Sequence, residues 1–288
     1  MPTARALLWL LRALWAILPF TVGSGLADAL DGSSDPVRLV ATLGLWALWF
    51  AGLAVSLVPT TVSLTALRTL APAPAAAAAA ALATAPGAVT AAGLAAAAVT
   101  GAVAFRGEIG RIFAEGSAYG DEARFPLRAP GPLLVGPLPL MWAVMASCCG
   151  AGPLLLAAKV WTAGVAVSIV GVALVLVLPR RFHQLSRRFL VFVPAGLALH
   201  DHLVLAETAM FRWRAVERFE RALSGTGALD LTAGALGPAI ELGLVDMDTI
   251  VRLGDRPGRS ETVHVRSMLC APTLTAAALH EAARRRPA

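Results

Sequence analysis

Long apolar stretches alternate with short polar connections over residues 1–179, and this pattern predicts membrane spans. A helix needs roughly 20 mainly apolar residues to cross about 30 Å of hydrocarbon. The stretches that reach or approach this length predict six spans, at about 6–27, 39–58, 71–85, 88–105, 132–158 and 161–179. Only Pro86-Gly87 separates the short third and fourth spans, so one interrupted helix over 71–105 is the alternative.

Beyond Pro179 the pattern changes to short alternating segments separated by Gly, Pro and Asp. Phe189–Val193 and Leu197–His200 predict a hairpin, and Thr273–Arg286 predicts a closing helix. Met210–Arg214 alternates like a strand and Val216–Leu223 has helical spacing, so strand and helix both remain open there. The expected fold is an α-helical membrane bundle at 1–179 followed by a small β-barrel or sandwich with a C-terminal helix at 180–288.

Charge placement supports this division, because the six predicted spans put ten basic residues on one side and two on the other. The positive-inside rule makes the richer side cytoplasmic, so both termini are expected in the cytoplasm of a multi-pass cell-membrane protein. Arg12 lies inside the first span, close enough to its end to snorkel, and Trp9 and Trp15 suit the interface. Ala27-Asp28-Ala29 also resembles a signal-peptide cleavage site, and cleavage there would remove the first span and invert the others.

Three stretches carry a resemblance that covers nearly the whole chain: Thr61–Arg68, Gly116–Glu122 and Phe192–Leu197. Through them the chain resembles a group of uncharacterised multi-span membrane proteins from high-GC bacteria. The C-terminal part resembles the bacterial PH-like (pleckstrin-homology-like) domain, which implies about seven strands and a terminal helix that closes one end of a bent barrel. Better known PH domains bind inositol phosphates through basic residues of the first hairpin loop, and Pro194-Ala195-Gly196 departs from that pattern.

Acidic side chains and histidines are absent from the predicted spans, since no Asp, Glu or His lies within any of them. Intramembrane proteases, transmembrane haem ligation and carboxylate proton relays all require such groups at depth. The three cysteines lack a metal-binding spacing, and His280-Glu281 is not followed by the second histidine of a zinc motif. We therefore expect neither an enzyme nor a bound cofactor or metal. The net charge of +6 follows the membrane segments, so nucleic acid is not an expected partner.

The loop Arg106–Gly131 is the most informative polar segment, with four arginines, four acids and the single tyrosine. We expect it to dock on the C-terminal domain through Asp121 and Glu122, and a solvated connector is the alternative. Its candidate lipid- or partner-contacting residues are Arg106, Arg111, Tyr119, Asp121, Glu122, Arg124 and Arg128.

Two further segments are candidates for contact with membrane lipids. The basic collar that follows the last span comprises Arg180, Arg181, Arg187 and Arg188, and anionic lipid binding and a pure topology signal are its two interpretations. Thr60–Thr65 with Arg68 presents hydroxyls and a guanidinium for a phosphate headgroup, whereas hydroxyls bonded back to their own helix are the alternative.

Together these patterns predict a membrane-anchored interaction or scaffolding module that meets membrane lipids and a protein partner at its cytosolic domain. A transporter or channel component for a small uncharged or amphipathic solute is the alternative. Small residues in the third and fourth spans favour close helix packing or homo-oligomerisation.

Overall fold

The computed structural model describes residues 4–254 and 259–286, and the chain divides into two compact units. The helical unit comprises the described residues up to Phe113 together with Pro139–His183. The sheet unit comprises Ala114–Leu138 and the described residues from Gln184 onward. This division differs from the domain boundary expected at residue 180, because the segment Ala114–Leu138 belongs with the C-terminal sheets.

Helices, most of them apolar, make up most of the chain up to Ser186. They are α1 (Ala4–Leu30), α2 (Asp35–Leu57), α3 (Thr61–Leu70), α4 (Ala73–Thr84), α5 (Ala88–Ala104), α6 (Gly107–Glu115), α7 (Gly131–Val135), α8 (Pro137–Ala157) and α9 (Trp161–Ser186). Within the described residues, five stretches are long and apolar enough to cross a membrane, or six if α5 and α6, bent by 51°, form one span. The protein is thus a membrane-embedded helical bundle joined to a sheet-containing part.

Two of the expected spans have different bounds in the structure. The third begins at Thr61 rather than near residue 71, because the Thr60 side chain accepts a hydrogen bond from the Ser63 amide at 3.1 Å and caps α3. The last continues to Ser186, since Pro179 removes only one helical hydrogen bond and arginine is a good helix former. The alanine-rich stretch forms two helices, α4 and α5, on either side of Pro86-Gly87.

A reciprocal pair of tryptophans joins α1 to α2. Pro19 lies inside α1 and has no N–H group to donate to the Trp15 carbonyl one turn earlier. The Trp49 indole donates to that carbonyl at 2.9 Å, and the Trp15 indole donates to the Trp49 carbonyl at the same distance. Gly52 leaves the space for the Trp15 ring, which a Cβ atom at that position would overlap. Trp15 is consequently buried, rather than at the interface as expected, whereas Trp9 is exposed.

Arg12 also has a role different from the expected snorkelling. Its Nε and Nη2 atoms donate to the Ser56 carbonyl at 3.2 and 2.9 Å, in the last turn of α2. The last carbonyls of a helix have no helical donor, and a cation there also interacts favourably with the helix dipole. Arg12 therefore caps α2.

The hairpin of α8 and α9 depends on small residues that face each other. Cβ atoms built at Gly152, Gly164 and Gly171 would come within 2.6–3.2 Å of Ser168, Leu156 and Cys148 respectively. Such positions let two helices approach closely, which is the usual basis of helix packing in lipid.

The sheet unit contains two four-stranded sheets and a C-terminal helix. The strands are β1 (Ala123–Pro126), β2 (Phe189–Val193), β3 (Gly196–His200), β4 (Ala209–Arg212), β5 (Val216–Arg221), β6 (Leu229–Asp230), β7 (Ile240–Leu253) and β8 (Ser260–Cys270), and the helix is α10 (Thr275–Arg285). The first sheet is antiparallel in the order β1-β2-β3-β4, and the second has the order β5-β7-β8-β6 with only β6 parallel to its neighbour. The expected hairpin of β2 and β3 is present, and the ambiguous segment after Ala215 is the strand β5.

The expected barrel does not close, since the described residues form two separate sheets around a common core. Phe192 in the first sheet contacts Phe219 in the second, with ring centroids 5.7 Å apart. Ala278 and Ala282 of α10 are buried in the same core. Alternation along each strand supplies one apolar face per sheet, and those two faces form the core.

Strand β1 comes from the connection between α6 and α7, where only a polar loop was expected. Ala123 through Pro126 pair antiparallel with Phe192 through Phe189. Phe125 is fully buried and meets Phe192 edge to face at 5.4 Å between ring centroids. The inter-span segment thus supplies both an edge strand and a core side chain to the sheet unit.

We expect Phe125→Ala to lower the free energy of unfolding of the sheet unit by about 3–5 kcal/mol, because truncation of a buried phenylalanine leaves a cavity. Proteolysis of the full-length protein in increasing urea measures this. Tyr119→Ala in the same segment is the matched control, since 90% of Tyr119 is exposed. Equal urea resistance of the two variants would contradict the contribution of β1 to the core.

Candidate functional site

A buried ion pair lies inside the sheet unit, between the start of β2 and the end of β3. Arg188 Nε and Nη2 donate to the two carboxylate oxygens of Asp201 at 2.7 and 2.6 Å. The side chains are 1% and 0% exposed. Arg188 Nη1 donates to the Arg128 carbonyl at 2.8 Å, and the Leu203 amide donates to Asp201 at 3.1 Å. The charges of Arg188 and Asp201 are therefore paired with each other inside the fold.

The hairpin register explains how the two charges meet. Phe189 pairs with His200, so the next position outward puts Arg188 opposite Asp201. The inward faces of the two strands carry Leu190 and Leu199, and alternation extended by one residue turns both charges inward. The basic collar therefore has three exposed arginines rather than four, and Arg188 is unavailable to lipid.

His200, Asp201 and His202 are consecutive residues of metal-ligating types, but two of them are engaged in other contacts. Asp201 is turned onto Arg188, and His200 Nδ1 lies 2.8 Å from the Thr208 hydroxyl. The part of the chain that the structure describes holds no group of three metal-ligating side chains. Burial lowers the pKa of both histidines, with a further lowering from the charge of Arg187.

Arg128 is held within the sheet unit on three sides. Its amide donates to the Ala271 carbonyl at 2.8 Å, its carbonyl accepts from Arg188, and its guanidinium donates to the Pro238 carbonyl. Arg128 thus fixes the segment after β1 against the residues that follow β8.

Asp121 is paired with the C-terminal helix, as the docking hypothesis expects. Arg285 Nη2 donates to the Asp121 carboxylate at 3.0 Å, and Nη1 donates to its carbonyl at 2.7 Å. Arg285 also donates to Glu281 on its own helix. Hydrogen bonds from Arg284 and Arg285 lower the pKa of Glu281, although burial opposes the shift.

Glu122, by contrast, bonds within its own segment. It accepts from Arg124 Nη2 at 2.8 Å and from the Tyr119 amide. Burial raises the pKa of Glu122, but these two hydrogen bonds outweigh it and the net shift is downward. Tyr119 itself is exposed, so its side chain is free of the fold.

Arg106 and Arg111 lie at the bend between α5 and α6 and along α6. Arg106 pairs with Glu108 at 3.1 Å in an exposed position. Helix α6 buries Ile109 and Phe113 in the core of the helical unit and carries Glu108, Arg111 and Glu115 at other positions, so it is amphipathic. Arg180 and Arg181 are exposed on α9.

The hydroxyls of Thr60–Thr65 are occupied by the fold. Thr60 and Ser63 form the cap of α3, and Thr65 donates to the Thr61 carbonyl at 3.1 Å. Thr65 Oγ1 also lies 2.9 Å from His183 Nδ1 on α9. The alternative interpretation, hydroxyls bonded to their own helix, therefore describes these side chains. Arg68 is different, because its Nε atom is buried without a hydrogen-bond partner among the described residues.

The structure thus distinguishes two groups among the sequence-predicted residues. Those built into the sheet unit are Asp121, Glu122, Arg124, Arg128 and Arg188. Those exposed to the surroundings include Tyr119, Arg180, Arg181 and Arg187. Sequence reasoning missed Asp201, Arg285 and His183 as partners, although extension of the hairpin alternation by one residue would have found Asp201.

Comparison of the chain with protein families, with curated proteins and with solved structures gave no match.

We expect Asp201→Asn to destabilise the sheet unit by about 3–5 kcal/mol, since it leaves the Arg188 charge buried without a counter-charge. Urea-dependent proteolysis of the full-length protein measures the loss. Asp246→Asn is the matched control, because Asp246 is exposed on β7.

The double variant Arg188→Met, Asp201→Leu removes both charges and should recover most of the stability, because a buried ion pair contributes little beyond an apolar pair of similar volume. An Asp201→Asn variant as stable as Asp246→Asn would contradict the role of the pair.

Proposed function

We propose that this protein is a membrane-anchored interaction module, with no catalytic activity, whose sheet unit meets a protein partner at the membrane surface. The pairing of β1 with β2 is the observation that carries the proposal. Because β1 lies between two spans and β2 follows the last span, the chain connects the sheet unit to the spans before β1, after β1 and before β2. A domain connected at several points stays close to the membrane, which raises its effective concentration toward a membrane-bound partner.

The same pairing supports an orientation. Ala123–Pro126 and Phe189–Val193 lie in one sheet, so both must be on one side of the membrane and the chain between them must cross an even number of times. Helices α8 and α9 supply two crossings. With the bent α5–α6 pair as one span, four crossings precede β1, which supports the proposal that both termini are cytoplasmic.

Two exposed methionines mark the proposed partner-binding surface. Met210 on the edge strand β4 and Met247 on β7 are each 72% exposed. Methionine is enriched in protein interfaces, and its flexible apolar side chain adapts to varied partners. The order of strands followed by α10 also supports a distant relation to the bacterial PH-like domain. We propose this relation although the two sheets do not close into a barrel.

Photo-crosslinking in cells tests the interaction. A photoreactive amino acid at position 210 or 247 of the full-length protein should yield a discrete adduct of higher mass. The same amino acid at Glu220, an exposed polar position on β5, is the control and should give none. Identical patterns at all three positions, or no adduct at any, would remove the support for an interaction module.

Cysteine labelling tests the orientation. In a variant whose three native cysteines are replaced by serine, we expect Tyr119→Cys and Leu223→Cys to react with an impermeant maleimide only in inside-out vesicles. Ser34→Cys, between α1 and α2, should react only in right-side-out vesicles. Labelling of positions 119 and 223 from opposite sides would be incompatible with the β1–β2 pairing.

A cavity in the helical unit favours the second candidate function, passage of a small uncharged or amphipathic solute. It measures about 310 Å³, and α1, α2 and α4 contribute its walls, which include Trp46 and Gly23. None of the described lining residues is charged. The cavity therefore suits a small uncharged solute, such as glycerol.

Glycerol flux into proteoliposomes tests this second function. If the cavity conducts, Gly23→Leu should reduce the flux because the new side chain enters the cavity. Gly44→Leu is the matched control, since both glycines have open space around them but Gly44 does not line the cavity. Flux equal to that of protein-free liposomes would leave the interaction module as the sole proposal.

A further inference from the structure

Arg68 on α3 is a cation that the fold surrounds but does not neutralise. Its Nε atom is buried, and within residues 4–254 and 259–286 no hydrogen bond or ion pair reaches the guanidinium. Its described contact is the ring of Phe105, whose centroid lies 5.9 Å from Arg68 Cζ. This arrangement differs from that of Arg12, which caps a helix, and of Arg106, which pairs with Glu108.

The neighbouring elements put Arg68 near the boundary of the hydrocarbon. One turn before it, Thr65 contacts His183, which follows the apolar part of α9 and the exposed Arg180 and Arg181. Phe105 is the C-cap residue of α5, where the chain bends into the amphipathic helix α6. The last turns of α3 and α9 and the end of α5 thus meet around Arg68.

The unsatisfied N–H donors of the Arg68 guanidinium indicate which kind of ligand is missing. A guanidinium has five N–H donors in a planar fork, and it cannot lose its charge at physiological pH. The hydroxyls of Thr60, Ser63 and Thr65 are engaged in α3 and with His183, so they do not serve as acceptors for Arg68. Phe105 covers part of the guanidinium and offers no acceptor oxygen.

We propose that Arg68 anchors a binding site for the phosphate group of an anion at this membrane boundary. A phosphate matches the guanidinium fork with two parallel hydrogen bonds and supplies the missing negative charge. The phosphodiester of an anionic phospholipid and a soluble phosphate are the two sources of that group. The exposed Arg180 and Arg181 add a positive field at the same end of α9 but are not needed for the fork.

Lipid titration of the purified full-length protein, followed by native mass spectrometry, tests the site. The probes are phosphatidylglycerol, diacylglycerol with the same acyl chains, and inorganic phosphate. We expect phosphatidylglycerol to bind at least about tenfold more tightly than diacylglycerol, as charge-assisted hydrogen bonds to a phosphate imply. Phosphate that displaces phosphatidylglycerol at millimolar concentration would identify a soluble anion as the source, and failure to displace it would identify the lipid.

Substitutions test whether Arg68 is responsible for the binding of phosphatidylglycerol. Arg68→Gln should weaken phosphatidylglycerol binding about tenfold, and Arg68→Lys should weaken it less, since it keeps the charge and loses the fork. Arg180→Gln makes the same change of charge at an exposed position and should alter affinity by less than about twofold, as expected for a screened surface charge.

Phe105→Leu keeps the Arg68 cation and removes the aromatic ring beside it. It provides a second test if Arg68→Gln does not fold. It should weaken binding severalfold. The proposal is overturned if diacylglycerol binds as tightly as phosphatidylglycerol, or if the folded Arg68 and Phe105 variants bind like Arg180→Gln.

Discussion

A carbonyl that loses its helical donor inside hydrocarbon must find another donor in the protein, because no water is there to supply one. The helical unit meets this requirement with side chains of the neighbouring helix. Trp49 donates to the carbonyl that Pro19 leaves open, and Arg12 donates to a carbonyl at the end of α2. Trp142 donates to the Thr69 carbonyl at 2.7 Å, where α3 gives way to α4. Each of these three carbonyls is thus also a point at which two helices are joined, so these contacts help to specify the packing of the spans.

The sheet unit has a different requirement, because it buries two charged side chains in an apolar core. Arg188 and Asp201 are both buried, and each has its hydrogen bonds satisfied by the other and by nearby backbone. Such a pair contributes little net stability but penalises any register that separates the two charges. The Arg128 carbonyl in this network lies just after β1, so the ion pair also holds the inter-span segment. The hairpin and the strand supplied from between the spans are therefore fixed by one group of contacts.

These features connect the structure to the proposed activities. The chain connects the sheet unit to the spans before β1, after β1 and before β2, which supports the proposed recognition of a partner at the membrane. Arg68 stands apart from Arg12 and Arg188, because its buried Nε has no hydrogen-bond partner among the described residues and the Phe105 ring beside it accepts none. A bound phosphate there would add a lipid-dependent contact to the helical unit. The two proposals concern different units and can be tested separately.

The sequence by itself determined the elements whose pattern is local. Apolar length predicted the spans, alternation predicted the hairpin of β2 and β3, and the segment Thr273–Arg286 predicted the closing helix α10. Only the tertiary structure decided which distant segments pair. The strand β1 has four residues and a mixed polar pattern, so nothing local distinguishes it from a loop, and its partner lies more than 60 residues away. The same holds for Asp121 with Arg285 and for Thr65 with His183, because contact between polar groups far apart in the chain depends on where packing brings the elements and leaves no periodic signal in the sequence.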